Sequence, residues 1–220
     1  MNDYKNCMDL NKNMVEGQIK PLGNISKQVM DAFLSIPRDQ FVPLELKNLA
    51  YLEKNIELSN DRFLLKPRLI AKIISLADFN SSDTVLIIGS STGYSSAILS
   101  NIAETIISIE EDDQLVNFSE TIVLDKKIDN VVFLKKDLNE GCPEHGPFNK
   151  ILIEGAVEDI PSYLFDQLDE NGKMIAIIAN GDLSEVREYN KVGENIGSKF
   201  LFNCEAPKLK AFNKTDSFNF

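Results

Sequence analysis

The 220-residue chain predicts an α/β fold: a Rossmann-like, doubly wound and mostly parallel sheet with an N-terminal helical cap and C-terminal antiparallel edge strands. Three observations carry that prediction. Short apolar, β-branched runs alternate with helical patterns between residues 84 and 179, the arrangement of a parallel sheet with crossover helices. A glycine-bounded turn joins the first run directly to a helix. The tail, 184–212, has no helical period and reads as two strands around Gly193 and Gly197, an antiparallel pair at the sheet edge.

The elements follow in chain order. The first dozen residues are polar and read as loose. Ser26 caps a helix that carries Val29, Met30, Phe33 and Leu34 on one face. Pro37 and Pro43 break the chain around Phe41 and Val42, and 44–60 reads as irregular with apolar anchors at Leu49 and Tyr51. Pro67 opens a helix with Leu69, Ile70, Ile73, Ile74 and Ala77 at helical spacing. Residues 84–88 (TVLII) form a strand buried on both faces, and a helix runs through Ala97, Ile98 and Leu99. Strands follow at 105–109, 130–134, 150–153 and 174–179. Helices at 112–124 and from Pro161 through Leu164, Phe165 and Leu168 fall between them, the latter ended by Asn171 and Gly172.

Bulk properties exclude several classes. No apolar run approaches the roughly 18 residues of a membrane span, and the N-terminus lacks the apolar stretch of a signal peptide, so a cytoplasmic protein with no membrane partner is expected. Cys7, Cys142 and Cys204 are odd in number and far apart, which suits reduced thiols and offers no metal site. A net charge of −11 repels phosphate backbones, so no nucleic-acid partner is expected. His145 is the single histidine, a surface loop residue on this reading, and Cys142 nearby is a bystander rather than a nucleophile. A monomer is expected.

In an open parallel sheet the ligand lies beyond the carboxyl ends of the strands, at the switch point. There the chain reads Gly89, Ser90, Ser91, Thr92, Gly93, whose glycines let a ligand approach the backbone. Glu110 ends the second strand about 20 residues on, where an acidic side chain accepts hydrogen bonds from ribose hydroxyls. Asp137 is read as ending the third strand, placed to reach a base or an amine. A nucleotide-type ligand follows from this trio; the bare turn would suit a tight strand–helix connection just as well.

Longer segments resemble one family. They are MVEGQIKPLG at 14–23, VMDAFLSIPRDQFVP at 29–43, AYLE at 50–53, VLIIGSSTGYSSAILS at 85–100, SIEEDDQL at 108–115, PFNKILIEGA at 147–156 and IPSYLFDQLDENGKM at 160–174. The chain is identified by them as a divergent member of the protein-L-isoaspartate O-methyltransferase family, class I S-adenosylmethionine-dependent methyltransferases, over about 14–180. The resemblance implies methyl transfer from S-adenosyl-L-methionine to the α-carboxylate of isoaspartyl residues in damaged proteins or peptides. It implies that Gly89, Ser90, Ser91 and Gly93 cradle the amino-acid end of the cofactor. Glu110 would hold the ribose, Asp137 with Leu138 would flank the adenine, and Glu111 is a further cofactor-binding candidate. The expected organisation is one globular unit: a cap at 1–60, a cofactor-binding core at 61–182 and a β-hairpin at 183–220. Such a reaction needs no catalytic base, because a carboxylate is already a nucleophile; alignment and exclusion of water are what the protein supplies.

Several positions depart from the family pattern. Where the family's substrate loop reads close to GQTISQP, this chain has Asp61, Arg62, Phe63, Leu64, Leu65, Lys66 and Pro67, with Leu65 at the serine. Arg62, Leu65 and Lys66 are therefore the candidate substrate loop. Arg62, Lys66 and Arg68 read first as a solvated helix start and second as attractors of a carboxylate. In the turn, Ile87 replaces an acid and Ser91 the middle glycine, whose side chain would crowd the cofactor. Glu154, at the end of the fourth strand, is read as partly solvated in the cleft, the alternative being a buried carboxyl of raised pKa. These departures keep open a non-catalytic binding or scaffold module. A dinucleotide oxidoreductase is disfavoured because the turn lacks G-x-G-x-x-G spacing.

Overall fold

A computed structural model gives the structure of the protein and describes residues 2–59, 61–181 and 183–213. Among these, α1 (Asn2–Met14) runs through the polar segment expected to be loose. Tertiary contact explains the difference. Its inner side buries Asn11 and Met14, and the Asn11 amide donates to the carbonyls of Phe33 (2.9 Å) and Leu34 (3.2 Å) in α2 (Lys27–Ser35). Ser26 caps α2 as expected, its Oγ accepting from the Val29 amide at 3.2 Å. The stretch 44–60 is not wholly irregular. It ends in β1 (Ile56–Ser59), which pairs antiparallel with β2 (Arg62–Leu64), Ile56 opposite Leu64. Strands this short, with a bulge between Glu57 and Ser59, leave no period in the sequence.

Pro67 then starts α3 (Pro67–Ala77), and the seven-stranded sheet begins. Its strands are β3 (Thr84–Ile88), β4 (Thr105–Glu110), β5 (Val131–Lys135), β6 (Phe148–Val157), β7 (Leu168–Asn180), β8 (Leu183–Val192) and β9 (Asn195–Cys204). The spatial order is β5-β4-β3-β6-β7-β8-β9, parallel through β7, after which β8 and β9 pair antiparallel. The crossovers carry α4 (Tyr94–Leu99), α5 (Asp113–Lys126) and α6 (Ser162–Asp166). Helix α6 is shorter than the sequence suggests: Leu168 already opens β7, and Asn171 and Gly172 lie within that strand beside an irregularity in its pairing with β6. Gly197 likewise lies inside β9.

Alternation along β3 divides the core. Val85 and Ile87 face one side, packed with Met14, Phe33, Phe41 and the buried face of α3. Leu86 and Ile88 face the other, with Phe148, Leu164 and Met174. Strand β3 lies between β4 and β6, so the chain reverses direction of winding there and the carboxyl ends of those three strands frame the crevice. No helix among the described residues is long and apolar enough to cross a membrane.

Candidate functional site

The turn after β3 takes the backbone form the sequence calls for. Gly89 and Gly93 have φ of +79°, and a Cβ at Gly93 would lie 2.6 Å from the Phe133 ring. Ser91 sits at φ +56°, so it holds the left-handed conformation of the glycine it replaces. The hydroxyls of Ser90, Ser91 and Thr92 are buried without a hydrogen-bond partner. Three unpaired hydroxyls around one turn mark a place suited to a polar ligand.

Glu110 closes β4 and is fully buried. Its Oε2 accepts the amide of Ser91 at 2.8 Å, and its Oε1 accepts those of Glu111 (3.0 Å) and Asp112 (3.3 Å). The remaining contact is the decisive one. Arg62 turns inward from β2 and grips the same carboxylate with both arms, Nε to Oε1 at 2.9 Å and Nη2 to Oε2 at 2.7 Å. The guanidinium is buried with its partner, a bidentate pair sealed from water. The sequence named Arg62 as a helix-start cation or an attractor of a substrate carboxylate. It instead holds a carboxylate of its own chain, 48 residues away, which nothing in the local sequence announces.

Above the turn sits a residue that the sequence did not single out. After β9 the chain returns to the cleft, tied by Ala156 N–H to Pro207 C=O and Leu209 N–H to Ala156 C=O, both 2.8 Å. Leu209 is thereby set against two glycines. A Cβ on Gly155 would lie 2.4 Å from its Cγ, and one on Gly89 would lie 3.4 Å from its Cδ1 and 2.9 Å from Arg62 Nη2. The space between Arg62, Leu65, Glu154 and Leu209 is too narrow for a water molecule. An open groove of about 560 Å³ lies instead between Asn139, Asp159, Tyr163 and Phe212.

Glu154 corrects an expectation. It is buried, not partly solvated, and accepts a hydrogen bond from Ser95 Oγ at the start of α4. Burial pushes its pKa up to about 7, against the opposing pull of the Ser95 hydrogen bond and of Arg62 and Arg38. Glu111 is exposed, its pKa raised by partial burial, and Asp137 is exposed beside buried Leu138. Leu65 is buried in the apolar core, where its carbonyl accepts from Arg38. Lys66 is half-buried and Arg68 exposed at the start of α3. His145 is exposed. Cys142 is buried with its thiol pushed up to about 11 by desolvation, far from a thiolate nucleophile. Cys142, Glu144 and His145 bring their ligand atoms within 4.8 Å of one another, but the Lys136 ammonium is already paired with Glu144.

The implied cofactor can be set against this geometry. The polar groups suit a nucleoside and an amino-acid end: a strand-end carboxylate, a glycine turn and unpaired hydroxyls. The room does not. Arg62 fills the position before Glu110, and Leu209 covers Gly89 and Gly155. As folded here the cleft is shut to the cofactor.

Comparison with known proteins places the chain. Residues 9–204 match the family described as Protein-L-isoaspartate(D-aspartate) O-methyltransferase (PCMT). The protein-L-isoaspartate O-methyltransferase of Methanospirillum hungatei is 31% identical over 173 residues, 79% of this chain and 80% of that one. That of Dictyoglomus turgidum is 30% identical over 199 residues, 90% of each. Among solved structures, a Plasmodium falciparum protein of this kind, in complex with S-adenosyl-L-homocysteine, shares the fold with TM-score 0.78 at 23% identity, covering 91% of this chain and 98% of that one. Another protein-L-isoaspartate O-methyltransferase structure gives TM-score 0.79 at 22% identity, over 90% of this chain and 65% of that longer one. The chain belongs to the protein-L-isoaspartate(D-aspartate) O-methyltransferase family, S-adenosylmethionine-dependent methyltransferases of class I.

Proposed function

We propose that this protein is a protein carboxyl methyltransferase that moves the methyl group of S-adenosyl-L-methionine to the carboxylate of isoaspartyl residues in damaged polypeptides. The observation that carries this reading is the family match over residues 9–204, a span that takes in most of the cap, the glycine turn, Glu110 and the hairpin β8–β9. The dinucleotide reading of the turn falls away with it. The chain's own part would be to bind and align. Gly89, Ser90, Ser91 and Gly93 would hold the amino-acid end of the cofactor, Glu110 with Glu111 the ribose, and Asp137 with Leu138 the adenine. Lys66 and Arg68, at the start of α3, are the cations left to draw in an acceptor carboxylate, since Arg62 is engaged elsewhere. With a net charge of −11, the partners are polypeptides rather than nucleic acid, met by a monomer in the cytoplasm.

The test is incubation with radiolabelled S-adenosyl-L-methionine and an isoaspartyl peptide, beside the same peptide with normal aspartate. Base-labile methyl ester on the isoaspartyl peptide alone is the expected result. A folded protein that labels neither peptide would refute the reading and favour a non-catalytic scaffold.

A further inference from the structure

The polar contacts around Glu110 leave no acceptor site over. A carboxylate offers about four lone-pair positions, and five donors converge on this one: three backbone amides and two guanidinium nitrogens. The amides are fixed by the strand end and the turn. The guanidinium is a side-chain donor. It arrives on a two-strand hairpin whose tip is held to the rest of the molecule by polar ties. Ser59 Oγ donates to Asp112 Oδ2 at 3.0 Å, Arg62 grips Glu110, and Asp61 pairs with Lys210. That last pair joins the hairpin tip to the return segment carrying Leu209, so both halves of the closure are linked. In the turn beside Glu110 the hydroxyls of Ser90, Ser91 and Thr92 are buried and unpaired.

We infer that Arg62 is a built-in competitor for the ribose position at Glu110, and that with Leu209 it holds the cofactor cleft closed until the hairpin tip withdraws. This rests on the methyltransferase reading above. The same hairpin stands where the family has its substrate loop, so release of Arg62 would open the cofactor and acceptor sides together. Cofactor binding then carries the cost of breaking a buried bidentate pair, and affinity is lowered by the small fraction of molecules that are open.

Calorimetric titration of the full-length protein with S-adenosyl-L-homocysteine separates the possibilities. Wild type, Arg62→Gln and Leu209→Ala are compared, each shown to be folded by circular dichroism. Arg62→Gln leaves Glu110 its three amide donors, and Leu209→Ala opens the cleft without touching the ion pair. At least tenfold tighter binding by the folded variants is expected. In wild type, ligand should also speed hydrogen exchange at the Leu209 amide as its bond to Ala156 breaks. Equal or weaker binding by the folded variants overturns the competitor role and leaves the methyltransferase reading standing. If Arg62→Gln does not fold, Leu209→Ala and the exchange experiment decide. If none of the three binds, the methyltransferase reading fails and the inference with it.

Discussion

Glu154 shows how one buried side chain links the cleft to pH. Its carboxyl lies beneath the closed cleft with Ser95 as its hydrogen-bond partner, and desolvation pushes its pKa from 4.5 to about 7. The folded state therefore keeps a proton that the unfolded chain releases. Between pH 4.5 and 7 the unfolded state binds fewer protons than the native one, so stability falls as pH rises through that window. At about 1.4 kcal/mol per pH unit the loss amounts to about 3 kcal/mol. Glu154→Gln keeps the shape and removes the titration. The stability difference between variant and wild type, taken from urea midpoints, should swing in favour of the variant by about 3 kcal/mol between pH 4.5 and 7.5. A difference that stays flat with pH would show that Glu154 titrates normally. At this scale the sequence was legible where chemistry and position coincide. Glu110 after β4 and the glycine turn after β3 lie where strand-end logic puts them. Arg62 and Leu209 were not legible, because they reach the site from 48 residues before Glu110 and from beyond the last strand, and only the folded chain brings them there. Glu154 was misjudged as well: it is buried, lining the same narrow space as Arg62 and Leu209.

Among the elements, the parallel strands were the most legible. Buried on both faces, they read as unbroken β-branched runs, and Thr84–Ile88 has the bounds the sequence predicts. The small hairpin β1–β2 was not, although it matters most to the cleft. Its root is held by Arg38, fully buried and with its pKa lowered to about 10 by desolvation. Arg38 Nε donates to Ala50 C=O (2.8 Å) and Nη2 to Leu65 C=O (2.7 Å), one carbonyl on the approach to the hairpin and one just past it. The guanidinium also lies 4.9 Å from the centre of the Tyr94 ring, tying the hairpin root to the start of α4. Within the segment 29–43, Arg38 thus serves architecture: it hydrogen-bonds the chain on both sides of the element that carries Arg62. Arg38→Met fills most of the volume but strands two buried carbonyls, and should cost about 3 kcal/mol of stability. Hydrogen exchange at Ile56 and Leu64 should quicken more than at β3. Uniform acceleration across the sheet would argue that Arg38 supports the whole core and not the hairpin.

For the whole molecule, the question is whether cap, core and hairpin fold as one. The sequence reads them as segments of one globular unit bounded at 60 and 182, and buried side chains run across those bounds. Met14, Val15, Ile19, Phe33 and Phe41 from the cap share one buried cluster with Val85 and Ile87 of β3, the α3 face, and Val186 of β8. A fragment of 61–182 would expose that face of α3 and β3 to water, at about 25 cal/mol for each Å² of apolar surface uncovered. It would also lose β8, which pairs with residues 173–180 of β7 and makes β9 the rim on that side of the sheet. We therefore expect one cooperative transition for the whole chain. In scanning calorimetry the van't Hoff and calorimetric enthalpies should agree, and circular dichroism and tyrosine fluorescence should give one midpoint. The isolated 61–182 fragment should show no cooperative unfolding. Two resolved transitions, or a fragment that melts sharply alone, would mean that the cap and hairpin are docked onto a self-sufficient core. Cooperativity also bears on the closed cleft. Its cover is drawn from the hairpin between cap and core and from the segment after the last strand, so only a molecule in which both are folded can hold Arg62 on Glu110 and Leu209 against Gly89 and Gly155.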